Sequence, residues 1–584
     1  MSRQAWNWIQ VLVVWVLLAT ALSLPSLMSG TVPTVTGDDA MRLVQAIDLY
    51  NGQDWFDTAQ HRDNAPFGAP MHWSRLIDAP LALLMAVLSP FAQDAAPYWA
   101  AFVWPLMVLL AVVALVAELS ERIGGRASRL PALGLLAMTL AVYTEFVPGR
   151  VDHHNVQIAL TLGMVLATLL GRHHPGWAVA AGALAATGLA IGTEVLPSVA
   201  VVLVCFGLYW VVDPIQGRRP LLAVAAGFPA GLLVHLLIST RLSSVLQAAC
   251  DALSASYVVA GILFSVAILV AVAAAPVLRG AWQRFGALGA LAIMAMGLCL
   301  WLFPECMGGP YGNLDDDLAS ILMPEIGEAQ PIWVWASGWR PQVSLLVVPI
   351  IGSLGIVLAA ALAPRQTRWR WAVLGGFCFA LFVVFCLQVR GFRLLSIALL
   401  PGPAYLGALA WEQLRQSKSL VSIGRVVLTF IAFAGAGHLV LFSLAHAAMG
   451  LSPPVPPTRA ASWADCQARS AYEQLAALPR GNMMSFLLIG PQLLLETPHS
   501  VVSAGYHRNE DGLRDMVRFF EGGEAEALAV VRERGLDYLV FCRGIEPTTA
   551  LAGLPDFEGL GWSWLTPLSD PEAGLQIYAI DLAQ

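Results

Sequence analysis

Three groups of acids and imidazoles stand just outside apolar stretches of the chain: Asp38-Asp39, Asp152-His153-His154, and Glu328. A carboxylate or imidazole at the edge of a bilayer is costly unless it pairs, binds a cation or takes part in chemistry. Side chains two residues apart in an extended turn point the same way, so Asp152 and His154 can share one ion. Carboxylate and imidazole ligands with open positions suit Mn²⁺ or Mg²⁺ better than a closed structural zinc site. Arg390 and Arg393 stand where one apolar stretch ends and the next begins. Their guanidinium forks match phosphate or pyrophosphate oxygens, and would serve equally as partners of the loop acids. Together these groups point to metal-assisted chemistry on a phosphate-bearing substrate.

Each group also has a plainer reading. Asp38-Asp39 opens a helical pattern and can simply cap it. Asp152 can cap the next apolar helix, leaving His153 and His154 as polar residues of the interface. The loop at 304–341 holds Glu305, Asp315-Asp316-Asp317, Glu325 and Glu328. A run of like charges such as the triple Asp is usually a solvated loop or a helix start, and spacing alone does not choose among these acids. Trp55, Phe56, His72 and Trp73 read as interfacial aromatics.

The elements that must position these groups are apolar. Of the 584 residues only 12% are charged and 58% are hydrophobic, with mean hydropathy +0.68. Soluble domains carry roughly 25% charged residues, so most of this chain belongs in lipid. A net charge of -7, without a basic stripe or a known reader motif, excludes nucleic acid as a partner. About thirteen stretches between 8–28 and 426–449 approach the roughly 20 residues that span a bilayer. The pair 177–196 and 198–212 meets at Pro197, where a tight outer turn is expected. The apolar stretch 76–91 carries Asp78 and two prolines and reads as an interfacial or re-entrant helix. Basic residues fill every second loop: Arg122, Arg126 and Arg129, then Arg172, Arg218-Arg219, Arg279 and Arg284. Arg365, Arg368 and Arg370, and finally Arg415, Lys418 and Arg425, complete the series. That alternation places the N-terminus in the cytoplasm, the three acidic groups on the outer face and the C-terminus outside. The first stretch reads as an uncleaved anchor.

The expected architecture is a polytopic α-helical membrane region over 1–450, with outer loops 29–96 and 304–341, followed by an outer domain over 451–584. Pro453-Pro454-Val455-Pro456-Pro457 reads as a stiff linker. The pattern 524–534 predicts an amphipathic helix and 537–541 a buried strand, joined through Gly535, so the domain is mixed α/β. Cys205, Cys299, Cys378 and Cys386 fall in apolar spans and read as small packing residues. Cys466 and Cys542 share the outer domain, where they form a disulfide or remain two free thiols.

Taken in order, these features resemble the catalytic subunit of oligosaccharyltransferases, most of all the archaeal type, within the GT-C membrane glycosyltransferases. The resemblance rests on Gly37-Asp38-Asp39-Ala40-Met41-Arg42 through Pro66-Phe67-Gly68-Ala69-Pro70-Met71-His72-Trp73, on Asp152-His153-His154, and on Ile326-Gly327-Glu328-Ala329-Gln330-Pro331. It implies a GT-C fold of about thirteen spans with an outer C-terminal domain. It also implies that Asp39 (or Asp38), Asp152, His154 and Glu328 hold Mn²⁺ or Mg²⁺, with Glu328 chosen over the triple Asp. Arg393, Arg390 and His153 would meet the donor, and Asp39, Asp38 and Glu328 would serve catalysis. The family's Trp-Trp-Asp-Tyr-Gly motif, which reads the acceptor sequon, is missing; Phe486-Leu487-Leu488-Ile489-Gly490-Pro491-Gln492 stands in its place. The expectation is a glycosyltransferase of the bacterial inner membrane. It would move a sugar or oligosaccharide from a polyprenyl-(pyro)phosphate donor to a lipid, glycan or protein acceptor on the periplasmic face. The alternative is a transporter or flippase of lipid-linked glycans, whose acids would belong near the bilayer midplane.

Overall fold

The computed structural model describes residues 2–582 apart from 31–32, 313, 336–338, 544–561 and most of 435–464. Among the described residues nine helices are long and apolar enough to cross a membrane, and the chain is a polytopic α-helical membrane protein. Three more apolar helices, Pro175–Ile191, Leu346–Leu362 and Leu420–Phe433, are shorter. The expected stretch at 130–147 is broken into Arg129–Ala137 and Leu140–Glu145. By length and hydropathy, therefore, the described residues do not reach thirteen. The proline-rich linker at 453–457 and most of the last expected stretch lie outside the described residues.

Local sequence explains where the helices stop. The turn expected near Pro197 falls at Gly192–Val195, with Pro197 in the first turn of Leu196–Val212, where its missing N–H costs nothing. Helices Pro175–Ile191 and Arg218–Ser239 approach closely because both carry glycine at the contact. A Cβ on Gly182 would lie 2.6 Å from the Phe228 nitrogen, and one on Gly227 would lie 2.7 Å from the Val179 carbonyl oxygen. Small residues at a helix interface let the backbones meet in this way.

The stretch 76–91 is one helix, Arg75–Ala92, followed by the turn Gln93–Ala95 and the helix Ala96–Gly124. Its Asp78 is wholly buried between two guanidiniums, 3.0 Å from Arg42 and 3.2 Å from Arg75. Arg42 lies on the helix Gly37–Tyr50, so this ion triad locks that helix to Arg75–Ala92.

The C-terminal residues form a mixed α/β unit around a five-stranded sheet of order β2-β1-β3-β5-β4. Its strands are β1 Asn482–Ser485, β2 Ser500–Val501, β3 Tyr538–Cys542, β4 Leu565–Pro567 and β5 Leu575–Ile580. β2, β1 and β3 run parallel, while β5 is antiparallel to β3 and β4. The expected helix and strand are both present: Gly523–Arg534 ends at Gly535 (φ 58°), and the fully buried β3 follows. Cys466 pairs with Cys542 across this unit, and Cys250 pairs with Cys306, a second disulfide not anticipated from the sequence.

Residues 62–65 of the segment 29–96 are bound to this C-terminal unit by buried polar contacts. Val501 N–H donates to the Arg62 carbonyl at 2.8 Å and Ala65 N–H to the Val501 carbonyl at 2.9 Å. The Asp63 carboxylate accepts from Ala504 N–H at 3.0 Å and from the Asn509 amide at 2.9 Å. Arg534 donates to the Asn64 side chain at 2.7 Å and the Ala65 carbonyl at 2.9 Å. Arg62 reaches the carbonyls of Leu494 and Thr497 at the end of helix Gly490–Glu496, where a cation is favoured.

Asp78→Ala leaves Arg42 and Arg75 buried without their shared anion. The expected loss is about 3–5 kcal/mol of stability, read as a lowered midpoint of thermal unfolding in detergent.

Candidate active site

The site begins with a turn that the helices alone would not hold. Gly149 has φ 98°, and a Cβ there would come within 3.2 Å of Pro33 and of the Thr34 carbonyl. The chain then passes through Arg150, Val151 and Asp152 into the helix His154–Gly171. Asp39 holds this turn. One carboxylate oxygen accepts from the Val151 and Asp152 amides, both at 2.7 Å, and the other pairs with Arg150. Asp39 is thus committed to the scaffold, whereas its neighbour Asp38 lines the cavity beyond.

That cavity has a volume of about 200 Å³, and its wall includes Asp38, His153, His154, Glu194, Glu328 and Arg390. Asp152 sits behind the two imidazoles. Its oxygens lie 2.5 Å from His153 Nδ1 and 2.5 Å from His154 Nδ1, and the two rings stack at 4.5 Å. His154 Nε2 is buried without a hydrogen-bond partner and points toward two carboxylates, Glu194 and Glu328, each 3.6 Å away. His153 Nε2 is 3.5 Å from Glu194.

Arginines balance these acids from outside. Arg390 pairs with Glu194, and Arg393 lies 2.5 Å from Glu328 and 3.0 Å from Glu145. Glu145 in turn is 3.2 Å from Arg150. The Glu328 segment is fixed by its backbone as well: Arg390 N–H donates to the Glu328 carbonyl and Val389 N–H to the Gln330 carbonyl, both at 3.0 Å.

The electrostatics follow from this crowding. Burial, together with the charges of Asp152 and Glu328, pushes the Asp38 carboxyl up to about 6, although Tyr506 opposes the shift by donating a hydrogen bond at 3.0 Å. Burial would also raise Asp152, but the adjoining His153 and His154 outweigh it and hold that carboxyl well below the usual range. Burial disfavours a charged His153; contact with Asp152 and then Glu194 overcomes this and lifts it to about 10. Glu328 is held low because His154 and Arg393 offset its burial.

A divalent ion fits this donor set. Asp152, His153 and His154 can each offer one ligand atom, all within 4.8 Å of one another. The partnerless His154 Nε2, facing two carboxylates, is what a coordinating imidazole looks like without its ion. Glu194 and Glu328 would complete a set of N and O ligands suited to Mn²⁺ or Mg²⁺.

Asp38, Asp152, His153, His154, Glu328, Arg390 and Arg393 thus come together in one place, with Asp39 immediately behind. Asp315-Asp316-Asp317 stands elsewhere. The Asp315 side chain caps the helix Asp316–Glu325 and pairs with Arg514 at 2.8 Å, as a helix start would. The sequence reading did not select Glu194, Glu145 or Tyr506. Glu194 carries the same signal as the others, an acid at the end of an apolar helix. Trp73 is not an interfacial aromatic: it is buried, with Arg42 over its ring at 4.1 Å and Tyr506 edge-on at 5.3 Å.

No protein-family model matches the chain, and no curated protein matches it in sequence. Solved structures do match. Against archaeal oligosaccharyltransferase AglB from Archaeoglobus fulgidus, in complex with an inhibitory peptide and a dolichol-phosphate, the TM-score is 0.67 at 12% identity. That match covers 92% of this chain and 70% of the other. The Archaeoglobus fulgidus oligosaccharyltransferase tethered with an acceptor peptide gives 0.63 at 14% identity, covering 93% and 70%. ArnT from Cupriavidus metallidurans bound to undecaprenyl phosphate gives 0.47 at 13% identity over 99% and 98%; no argument rests on that weaker likeness. The chain shares its fold with the Archaeoglobus fulgidus oligosaccharyltransferase structures. At these identities the likeness is one of fold, and it does not make the chain an archaeal-type oligosaccharyltransferase subunit.

Glu194→Ala removes a carboxylate facing both imidazoles. It is expected to weaken Mn²⁺ binding by about 10–100-fold, read by isothermal titration of the purified protein, with Asp316→Ala unchanged from wild type.

Proposed function

We propose that this protein is a glycosyltransferase that takes a sugar or oligosaccharide from a polyprenyl-(pyro)phosphate donor and delivers it to an acceptor at the periplasmic face. It would reside in a bacterial inner membrane as a multi-pass protein, with its N-terminus cytoplasmic, residues 1–450 as the catalytic membrane domain and residues 451–584 as the periplasmic domain. The observation that carries this reading is the convergence of Asp38, His154, Glu194 and Glu328 around one small cavity, with Asp152 behind His154 and with Arg390 and Arg393 beside them. The shared fold adds support, since the AglB structure is described with a dolichol-phosphate.

His154, Glu194 and Glu328 would hold a divalent ion, with Asp152 orienting His154 through its Nδ1, and the ion when bound would supply positive charge against a departing phosphate. Arg390 and Arg393 bind phosphate oxygens of the donor and stabilise the charge that develops there. The bond between the sugar's anomeric carbon and the phosphate oxygen breaks, and the lipid phosphate or pyrophosphate leaves with the electron pair. An acceptor hydroxyl or amide attacks the same carbon, and its proton passes to the carboxylate of Asp38, the acid not committed to the scaffold. Asp39 acts through position, by holding the turn that carries Asp152. The Glu328 segment, tied to residues 389–390, shields the reacting centre from water. A transporter or flippase is less well supported, because these acids stand at helix ends or in turns and not within spans.

Incubating the protein in nanodiscs with radiolabelled polyprenyl-phosphate sugar should release labelled product. Asp152→Ala and Glu328→Ala should each lower that rate by about 100-fold or more, and wild-type rates for both variants would remove the assignment. The pH profile offers a second check. A base with a carboxyl near 6 is protonated below that pH, so the rate should fall as pH drops through about 6. Asp38→Asn should lower the rate throughout and abolish that limb.

A further inference from the structure

His72, Asp251, Tyr311 and His507 line the candidate catalytic cavity, and the same residues line a second, larger one of about 470 Å³ on the other side. This shared wall is built from four distant segments and is firmly braced. Asp251 accepts from His507 at 2.7 Å and from two nitrogens of Arg508, both at 2.7 Å. The rings of His72 and His507 are 4.8 Å apart, and Tyr311 meets His507 edge-on at 5.0 Å. The Cys250–Cys306 disulfide ties the residue before Asp251 to the segment leading to Tyr311. A two-substrate reaction at Asp38 needs space for the second substrate next to the first, and this cavity adjoins the site.

Its lining indicates what it would take. Beyond the shared wall stand Ser239, Thr240, Ser244, Gln247 and Glu510, which offer hydroxyl, amide and carboxylate groups. Arg508 is the one arginine or lysine among the described lining residues, and both Asp251 oxygens already hold it. The buried His72 Nδ1 has no hydrogen-bond partner. The lining also has apolar side chains such as Leu236, Leu253 and Leu314. Even so, a space with flat rings on one wall, hydroxyl and amide groups on the others, and the carboxylates of Asp251 and Glu510 against a single arginine does not suit an anion. It fits a neutral molecule dense in hydroxyl groups, because each hydroxyl both donates and accepts and the ring faces take the C–H side.

We propose that the second cavity seats the acceptor and that the acceptor is a carbohydrate, its ring against His72, Tyr311 and His507 and its reacting hydroxyl directed toward Asp38. This deepens the glycosyl-transfer reading and rests on it. Thr240 follows the outer end of helix Arg218–Ser239 and lies outside the catalytic cluster, so Thr240→Trp fills the cavity without touching that cluster.

The test uses the full-length protein in nanodiscs with methyl α-glucoside, methyl α-mannoside, methyl β-galactoside and methyl α-arabinofuranoside as probes. Saturation-transfer NMR should show at least one glycoside bound, and Thr240→Trp should weaken that binding by about tenfold, with Thr240→Ser close to wild type. With radiolabelled donor present, label should pass to that glycoside and not to a Ser/Thr/Asn-containing octapeptide. Absence of glycoside binding, equal binding in wild type and Thr240→Trp, or label on the peptide would each overturn the proposal. Loss of donor turnover in the wild type, with glycoside binding still sensitive to Thr240→Trp, would instead fault the transferase reading and leave the sugar site standing.

Discussion

Like charges resist being gathered in a medium of low dielectric, and the face of this protein that carries the candidate site is arranged around that resistance. Asp38, Glu194 and Glu328 line one small space, with Asp152 buried immediately behind its two imidazoles. Unopposed, their repulsion would open the site or force protons onto them. The chain answers with an alternating series: Asp39 to Arg150, Arg150 to Glu145, Glu145 to Arg393, Arg393 to Glu328, and Arg390 to Glu194. Two imidazoles close the gap between the acids. The remaining negative charge around His154 Nε2 is what makes the centre receptive to a divalent ion.

Such a network demands rigid supports, because a charge pair displaced by an ångström loses much of its energy. The supports come from three directions. Helix packing sets the start of His154–Gly171, which carries His154, and the turn Gly192–Val195 before Leu196–Val212, which carries Glu194. The buried Arg42–Asp78–Arg75 triad fixes the helix that begins at Gly37 and bears Asp38 and Asp39. The C-terminal sheet unit then docks on the first loop through Arg62, Asp63 and Arg534, and this places Tyr506 over Asp38. The C-terminal unit is therefore part of the site, since it supplies the hydrogen bond that tempers the raised Asp38 carboxyl.

Much of this was legible in the residues. The apolar excess leaves lipid as the solvent, and the costly acids beside apolar stretches marked where chemistry could lie. The helix at Gly523–Arg534 and the strand at Tyr538–Cys542 followed from periodicity and a glycine. The choice between adjacent carboxylates was not legible. Asp38 and Asp39 differ by one position on a helix, roughly 100° of rotation, and only the packed turn at residues 150–152 shows which one is consumed by backbone amides. Glu194 and Glu145 were overlooked because each stood alone in its own segment. An isolated acid has no sequence signal until its partners are brought near.

Sequence by itself determined the solvent of the chain, the positions of most helices and the kinds of ligand available, because hydropathy and side-chain chemistry are local properties. Tertiary structure alone decided which acids face one another, which arginine balances which carboxylate, and that a second cavity adjoins the first. Those are facts of distance between segments hundreds of residues apart, and Coulomb interactions and hydrogen bonds act across that distance in space, with no trace in the order of the residues.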